Sequence, residues 1–182
     1  KEDRYKNRIE FRYNRNGLLK EVLDTYGRSI ILSRRDDGLI DSIEDYVGRK
    51  VSFKYNKHKE LIGVSTPVTD NYPQGKSTAY RYERGHDDLY RSHLITMVVD
   101  PKGQVFLKNR YDSKGRVTEQ QYGERPWVKV RYGEDGIETS VMDSMGVERL
   151  YQHDECGHIV GVYKLDAGER ILIRSYGYDE MG

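Results

Sequence analysis

The stretch YDSKGRVTEQQYG, residues 111–123, gathers aromatic, acidic, basic and glycine residues as an active-site loop would. Its spacing is nevertheless that of a turn. Asp or Asn at the first position of a turn accepts hydrogen bonds from backbone N–H groups just ahead, and Gly three residues later adopts positive φ without a Cβ clash. Near copies recur along the chain, so the repetition of the stretch predicts the fold.

The Asp-x-x-Gly pattern occurs seven times, and variants fill several of the gaps. Asn replaces Asp at Asn14, and the copies that begin at Asp36 and Asp166 are one residue shorter. The early anchors Asn14, Asp24, Asp36, Asp45 and Asn56 lie 10, 12, 9 and 11 residues apart, so that two anchors make a repeat of about 21 residues. The predicted turn residues are Asn14, Gly17, Asp24, Gly27, Asp36, Gly38, Asp45, Gly48, Asp100, Gly103, Tyr111, Asp112, Gly115, Arg116, Asp143, Gly146, Asp154, Gly157, Asp166, Gly168, Tyr178, Asp179 and Gly182.

The segments between these turns alternate apolar and polar residues, as strands with one polar face do. Of each spacing, about four residues go to the turn, which leaves six or seven for a strand. The pattern predicts an all-β fold of fourteen to sixteen short antiparallel strands, joined as hairpins into a curved or spiralling sheet. Apolar residues share one face in the groups Ile9, Phe11 and Tyr13; Val51, Phe53 and Tyr55; and Val128, Val130 and Tyr132.

The composition excludes several classes of protein. Only 36% of the chain is hydrophobic and the mean hydropathy is −0.88, so any core must be thin. Balanced charge, with 31 basic against 30 acidic residues, and 11% aromatic residues argue against disorder and against a dedicated nucleic-acid binder. The longest nearly apolar run, residues 94–99, is too short to cross a bilayer. A single cysteine, Cys156, excludes an internal disulfide framework.

The turn motifs resemble the Rhs/YD-repeat family, whose consensus is Tyr-Asp, two residues, Gly-Arg, then an apolar residue and a later Gly. The resemblance rests on residues 111–123, 152–168, 98–104 and 178–182, covers nearly the whole chain and is weakest at residues 66–87. It implies a long β-strip wound into a hollow shell. In bacterial Rhs proteins and the C components of Tc toxins the shell encloses a C-terminal toxic polypeptide, and in the teneurins it presents adhesive surfaces.

We therefore expect a structural shell segment, secreted or at the cell surface, whose partners are the rest of the shell and an enclosed toxin or effector. The alternative is an adhesion module that binds a surface glycan or receptor. We expect one continuous repeat domain, part of a larger protein: YD-type repeats at 1–65, an irregular connection at 66–95 and further repeats at 96–182. The family's shell-closing Asp-Pro-x-Gly-Leu element is not matched, because Gln104 replaces its Leu, so the sequence assigns neither autocleavage nor toxicity.

Four other stretches resemble functional sites, and each has a simpler structural interpretation. HDECGH, residues 153–158, offers possible metal ligands, but the repeat places Glu155 and Cys156 in the centre of a turn. RGHDD, residues 84–88, offers a His–Asp pair without a nucleophile in a recognisable context, and GEDG, residues 133–136, lacks the ligand spacing of a calcium loop. Trp127 could stack on a sugar, but we expect it to cap a strand. The sequence thus predicts no catalytic residue, no cofactor and no metal.

Overall fold

The computed structural model describes residues 1–83 and 93–179, and these residues fold mainly into β-hairpins. They form fifteen strands, and no α-helix occurs in these two ranges. The all-β, antiparallel fold predicted from the repeat is therefore confirmed. Within the described ranges, no helix has the length and apolar character needed to cross a membrane.

The strands divide between two compact units, one comprising Lys1–Arg81 and Val99–Gly103 and the other Tyr82–Val98 and Gln104–Gly182. In each unit, strands adjacent in sequence are adjacent in the sheet. The first seven strands are β1 (Glu10–Tyr13), β2 (Leu19–Leu23), β3 (Ser29–Arg34), β4 (Ile40–Asp45), β5 (Lys50–Tyr55), β6 (Leu61–Ser65) and β7 (Ser77–Tyr82). The other eight are β8 (Ile95–Val99), β9 (Val105–Tyr111), β10 (Val117–Tyr122), β11 (Val128–Tyr132), β12 (Glu138–Met142), β13 (Glu148–His153), β14 (Ile159–Asp166) and β15 (Glu169–Ser175).

The strand register places apolar residues opposite apolar residues in the first unit. Phe11 pairs with Val22, which pairs with Ile30, and these side chains therefore share a face. On the opposite face Arg12 pairs with Glu21, and their side chains form an ion pair of 3.1 Å. The register thus gives one largely apolar and one largely charged face, although Ile31 lies on the charged face, opposite Glu21 and Glu44.

A row of serines crosses the charged face of the first unit. Ser33, Ser42, Ser52, Ser65 and Ser77 lie opposite one another, one on each strand from β3 to β7. Ser42, the second in the row, is only 1% exposed, and the hydroxyls of Ser65 and Ser77 are 2.6 Å apart. Five small polar side chains thus lie next to one another on five successive strands.

The apolar core is thin, because each unit consists of one sheet layer in the described ranges. Leu150 of β13, 6% exposed, is the only large apolar side chain there that is fully buried. It lies in register between Ser140 and Tyr163. On the same face, Arg170 of β15 forms a two-bond ion pair with Glu138 of β12, at 2.6 and 3.1 Å, and so spans the two strands between them. The paired side chains of Arg170 and Glu138 thus lie across this face, where a second layer would lie in a two-layer fold.

The connection from β6 to β7 is longer than the other turns in the described ranges. Thr66 donates its N–H to the carbonyl of Lys76, and Thr69 forms an antiparallel bridge with Tyr72. Gly75 has φ +68°, and a Cβ at this position would lie 2.5 Å from the Thr66 carbonyl oxygen. The backbone therefore closes on itself at Gly75, where only glycine fits.

Candidate functional site: the hairpin turns

The turn at Asp112–Gly115 shows the geometry that recurs along the chain. The Gly115 N–H donates to the Asp112 carbonyl (3.1 Å), and the Asp112 N–H donates to the Arg116 carbonyl (2.9 Å). Gly115 has φ +76°, in the left-handed region. This is a three-residue hairpin loop, a type I turn followed by a left-handed residue, which suits the twist of the flanking strands.

The first residue of the turn holds the loop with its side chain. In this turn Oδ1 of Asp112 accepts hydrogen bonds from the N–H groups of Lys114 (2.8 Å) and Arg116 (2.9 Å). The carboxylate thus satisfies the third and fifth N–H groups of the motif, which point into the loop. The same pair of bonds, at 2.8–3.1 Å, is made by Asp3, Asn14, Asp24, Asp45, Asn56, Asp143 and Asp154.

The fifth residue of the motif uses the second carboxylate oxygen. Nε of Arg116 donates to Oδ2 of Asp112 (2.8 Å), and Arg49 makes the equivalent bond to Asp45 (2.6 Å). Backbone and side-chain bonds from Arg116 lower the pKa of Asp112 below its usual 3.8, although desolvation opposes them. Desolvation also opposes the shift at Asp45, where the bonds from Arg49 outweigh it and the pKa is again lowered. The ionised form of the Asp side chain is therefore the form that stabilises each of these two turns.

Tyrosines that precede the turns at one end of each unit reach back to a neighbouring strand. The Tyr132 hydroxyl donates to the Val117 carbonyl (2.9 Å), and the Tyr55 hydroxyl donates to the Ile40 carbonyl (2.9 Å). Both acceptors lie two residues after a turn glycine, one repeat earlier. Tyr111 and Tyr178 make the same kind of bond, to the carbonyls of Ile95 (2.6 Å) and Ile159 (2.9 Å). We call these four bonds the tyrosine ties.

The ties also bring consecutive turns at that end into contact through their side chains. The Arg116 guanidinium lies over the Tyr132 ring, 4.3 Å from its centroid. In the turn at Asp154, two turns further along that end, His158 occupies the position of Arg116, and its ring stacks on Tyr178 with centroids 4.8 Å apart. Burial raises the pKa of the Tyr132 hydroxyl. The turns at Asp112 and Asp154 are therefore each in contact with a tyrosine that lies about one repeat further along the chain.

Some turns depart from the consensus residues and keep the geometry. Arg35, rather than Asp36, is the first residue of its turn, which therefore has the full four residues: Gly38 donates to the Arg35 carbonyl, and Arg35 donates to the Leu39 carbonyl. Lys59 replaces Gly with φ +64°. At Asp166 the loop is shorter, and Ala167 (φ +49°) and Gly168 (φ +86°) form a two-residue turn between β14 and β15.

The remaining predicted turn residues are placed as follows. The glycines of the four-residue turns have φ between +74° and +87°: Gly17, Gly27, Gly38, Gly48, Gly103, Gly115, Gly136, Gly146 and Gly157. Asp100 accepts from the Lys102 N–H (2.9 Å), and Asp143 from the N–H groups of Met145 and Val147. Asp179 follows Tyr178 at the end of the described range, and Gly182 lies outside it.

The four stretches that resembled functional sites lie in different settings. Residues 153–158 form a turn in which Asp154, Cys156 and His158 come close together. Residues 133–136 form a hairpin turn with Gly133 in the first position. Trp127 is half-buried beneath the Arg110 guanidinium, 4.6 Å from the ring centroid. The stretch at residues 84–88 lies outside the described residues.

The tyrosine ties were not predicted from the sequence. The available signal was the position of Tyr directly before Asp or Asn, as at Tyr55 and Tyr111, with an apolar residue about one repeat earlier. The carbonyl acceptor itself has no sequence signature, because every residue carries one.

Two comparisons relate this geometry to known proteins. Teneurin-m of Drosophila melanogaster is 34% identical over 111 residues, which is 59% of this chain and 4% of teneurin-m. A chain of the Photorhabdus luminescens Tc holotoxin pore superposes with a TM-score of 0.60 at 12% identity, over 90% of this chain and 9% of that one. The chain thus spans a small part of either protein. No family model matches it.

The Tc toxin likeness concerns the fold, and the teneurin likeness extends to the sequence. Both proteins are Rhs/YD-repeat relatives by the resemblance described above. The resemblance predicted from the turn motifs is therefore confirmed: this all-β repeat chain is similar in sequence to teneurin-m and in fold to the Tc toxin chain.

Proposed function

We propose that the chain is a wall segment of a β-shell that encloses or presents another polypeptide, such as a toxin or effector. The observation that supports this most directly is the uncovered apolar face of the first unit. Phe11 and Ile30 lie on that face and remain 43% and 45% exposed. A sheet with one apolar and one charged face normally covers the apolar one. Another polypeptide held against it would provide the cover.

The role proposed is mechanical rather than catalytic. The carboxylates of Asp24 and Asp45 accept hydrogen bonds from backbone N–H groups of their own turns and also bind an Arg of their own hairpin. Groups satisfied in this way maintain the loop and are not poised for proton transfer. We further propose, from the resemblance, that the protein is exported and acts outside the cell or at its surface. No comparable observation favours the glycan- or receptor-binding alternative.

Limited proteolysis with mass spectrometry, on the full protein that carries this chain, tests the proposal. We expect a segment outside the repeats to stay intact until the repeat region itself is cut. A variant that weakens one hairpin, Gly115→Val, should shorten that protection, whereas Gly177→Val should not, because Gly177 has ordinary φ and nothing within 4 Å of its added Cβ. Cleavage of every segment outside the repeats before the repeats are cut would overturn the enclosing role.

A further inference from the structure

One turn carries a set of side chains that the other turns in residues 1–83 and 93–179 lack. In the turn Asp154–Gly157, the first, third and fifth positions hold Asp154, Cys156 and His158. One donor atom of each, a carboxylate oxygen, the thiol sulfur and an imidazole nitrogen, lies within 4.8 Å of the other two. Cys156 is exposed, and Asp154 and His158 are half-buried.

The turn geometry explains why these three positions converge. The first carboxylate accepts from the third and fifth N–H groups, which brings the backbone of both residues to it, at 2.9 Å for Cys156 and 2.8 Å for His158. The fifth side chain then reaches back to the second carboxylate oxygen, as Nδ1 of His158 does to Oδ2 of Asp154 at 3.1 Å. In the equivalent turn at Asp112 the third and fifth residues are Lys114 and Arg116, whose cationic side chains do not bind metal ions.

We propose that Asp154, Cys156 and His158 form a binding site for a divalent transition-metal ion, with zinc as the best fit. Carboxylate oxygen, thiolate sulfur and imidazole nitrogen are the three ligand types that zinc takes in proteins. With metal–oxygen and metal–nitrogen bonds of about 2.0–2.1 Å, two ligands on a tetrahedral ion lie roughly 3.3 Å apart. The observed Oδ2 to Nδ1 separation of 3.1 Å is already near that value.

The remaining coordination requirements are met by small changes. Rotation about the Cα–Cβ bond of the exposed Cys156 would bring its sulfur onto the ion, and water would take the fourth position. Binding releases the thiol proton into solvent, and neutral His158 carries its single ring proton on Nε2, which leaves the Nδ1 lone pair for the metal. The His158 ring is held in place by its stacking on Tyr178, so that half of the site is ordered before the metal arrives.

Cobalt(II) is the probe that reports the proposed ligands, because a cobalt–thiolate bond gives a charge-transfer absorption band that carboxylate or imidazole binding alone does not. Titration of the full chain under reducing conditions should produce this band with one equivalent of Co²⁺, and added Zn²⁺ should abolish it. Cys156→Ser should remove the band, and Asp154→Asn and His158→Gln should each weaken binding by roughly tenfold or more. Zn²⁺ should raise the unfolding temperature of the wild-type chain but not that of Cys156→Ser.

Two matched controls are available, one at the adjacent residue His153 and one in the turn at Asp112. His153→Gln should leave the band unchanged, because His153 directs Nδ1 at the Gly157 carbonyl (3.3 Å) and is not one of the three ligands. The double variant Lys114→Cys with Arg116→His, made in a Cys156→Ser background, should restore the band by building the same set on Asp112. A wild-type chain without a cobalt–thiolate band, or a band that survives Cys156→Ser, would overturn the proposal and leave the wall function untouched.

Discussion

At Gly115 the absence of a side chain allows the backbone conformation that the hairpin turn requires. Its φ of +76° is unfavourable for any residue with a Cβ, yet an added Cβ would meet nothing closer than 3.6 Å, at Cδ1 of Leu94. The constraint is therefore in the backbone rather than in the packing. Lys59, at φ +64°, shows that the same turn can form with a side chain present, at a cost in stability.

Gly115→Val should lower the free energy of unfolding by about 2 kcal/mol, since the left-handed conformation costs an L-residue roughly 1–2 kcal/mol and branching at Cβ adds to it. Urea denaturation followed by circular dichroism measures the change. Gly177→Val serves as the control and should be nearly neutral. Equal stability of the two variants would show that Gly115 does not need its observed conformation.

The aspartates of the turns predict a loss of stability in acid. The pKa values of Asp24, Asp45 and Asp112 are lowered from 3.8, so their ionised turns add stability above the unfolded-state pKa, and that stability is lost as the pH falls through the lower, folded-state pKa. Urea midpoints should therefore fall as the pH decreases below about 4. Asp112→Asn should reduce this dependence while preserving the loop, since Asn14 accepts the same two N–H bonds. An unchanged acid dependence in that variant would contradict the assignment.

At the scale of the element, a hairpin is joined to the hairpin one repeat away by its tyrosine tie. Tyr132→Phe removes only the hydroxyl and should cost about 1 kcal/mol, the usual net value of a hydrogen bond. Denaturant unfolding measures the change. Tyr13→Phe is the matched control: Tyr13 also precedes a turn but is 60% exposed, and its hydroxyl makes no hydrogen bond within the described residues. Equal losses in the two variants would argue against the ties.

Strands and turns follow from the sequence because their causes are local. The alternation of Val51, Phe53 and Tyr55 specifies a face, and the spacing of Asp112 and Gly115 specifies a reversal. Features that depend on register across strands could not be predicted in this way. The bond from Tyr132 to the Val117 carbonyl, for example, joins residues 15 positions apart. The position of Arg35 at the start of its turn was also not predicted, because the adjacent Asp36 matches the motif better.

The same limit applies to the convergence at the HDECGH turn. The sequence shows that ligand residues are present, and the repeat correctly assigns Glu155 and Cys156 to the centre of a turn. It does not show that positions one, three and five of this turn direct their side chains to the same place. That result depends on the bond from His158 to Asp154, which only coordinates reveal.

At the scale of the whole molecule, a repeat is two strands and two turns, and the second unit should tolerate the loss of one. Deletion of residues 133–153 removes β12 and β13 and joins Tyr132 to Asp154, which recreates a Tyr-Asp turn. The deletion leaves the remaining side chains on their original faces of the sheet. Tyr132 pairs with Thr139 and Thr139 pairs with Tyr151, so Tyr132 lies on the same face as the odd-numbered positions of β13 that it replaces. We expect a folded chain with a β-sheet circular dichroism spectrum and a cooperative, lower unfolding midpoint.

Deletion of residues 133–142 is the matched control. It removes β12 alone and joins Tyr132 to Asp143, so that a turn still follows Tyr132. Tyr132 then takes the position of Met142, which pairs with Glu148 in the intact chain. Tyr132 and Glu148 lie on opposite faces of the sheet, so the side chains of every later strand would move to the other face. This shorter deletion should disrupt folding more than the longer one. The reverse order of stabilities would show that the two-strand repeat is not the unit of the fold.

The chain-order arrangement of the strands within each unit also bears on how the protein can be made. Each strand finds its first partner in the strand synthesised immediately before it, through a loop of two to four residues in most hairpins. Short loops close rapidly and at low entropic cost. A ribosome or a secretion channel that releases this polypeptide gradually would therefore let each hairpin form as it emerges, with no wait for a distant segment to arrive.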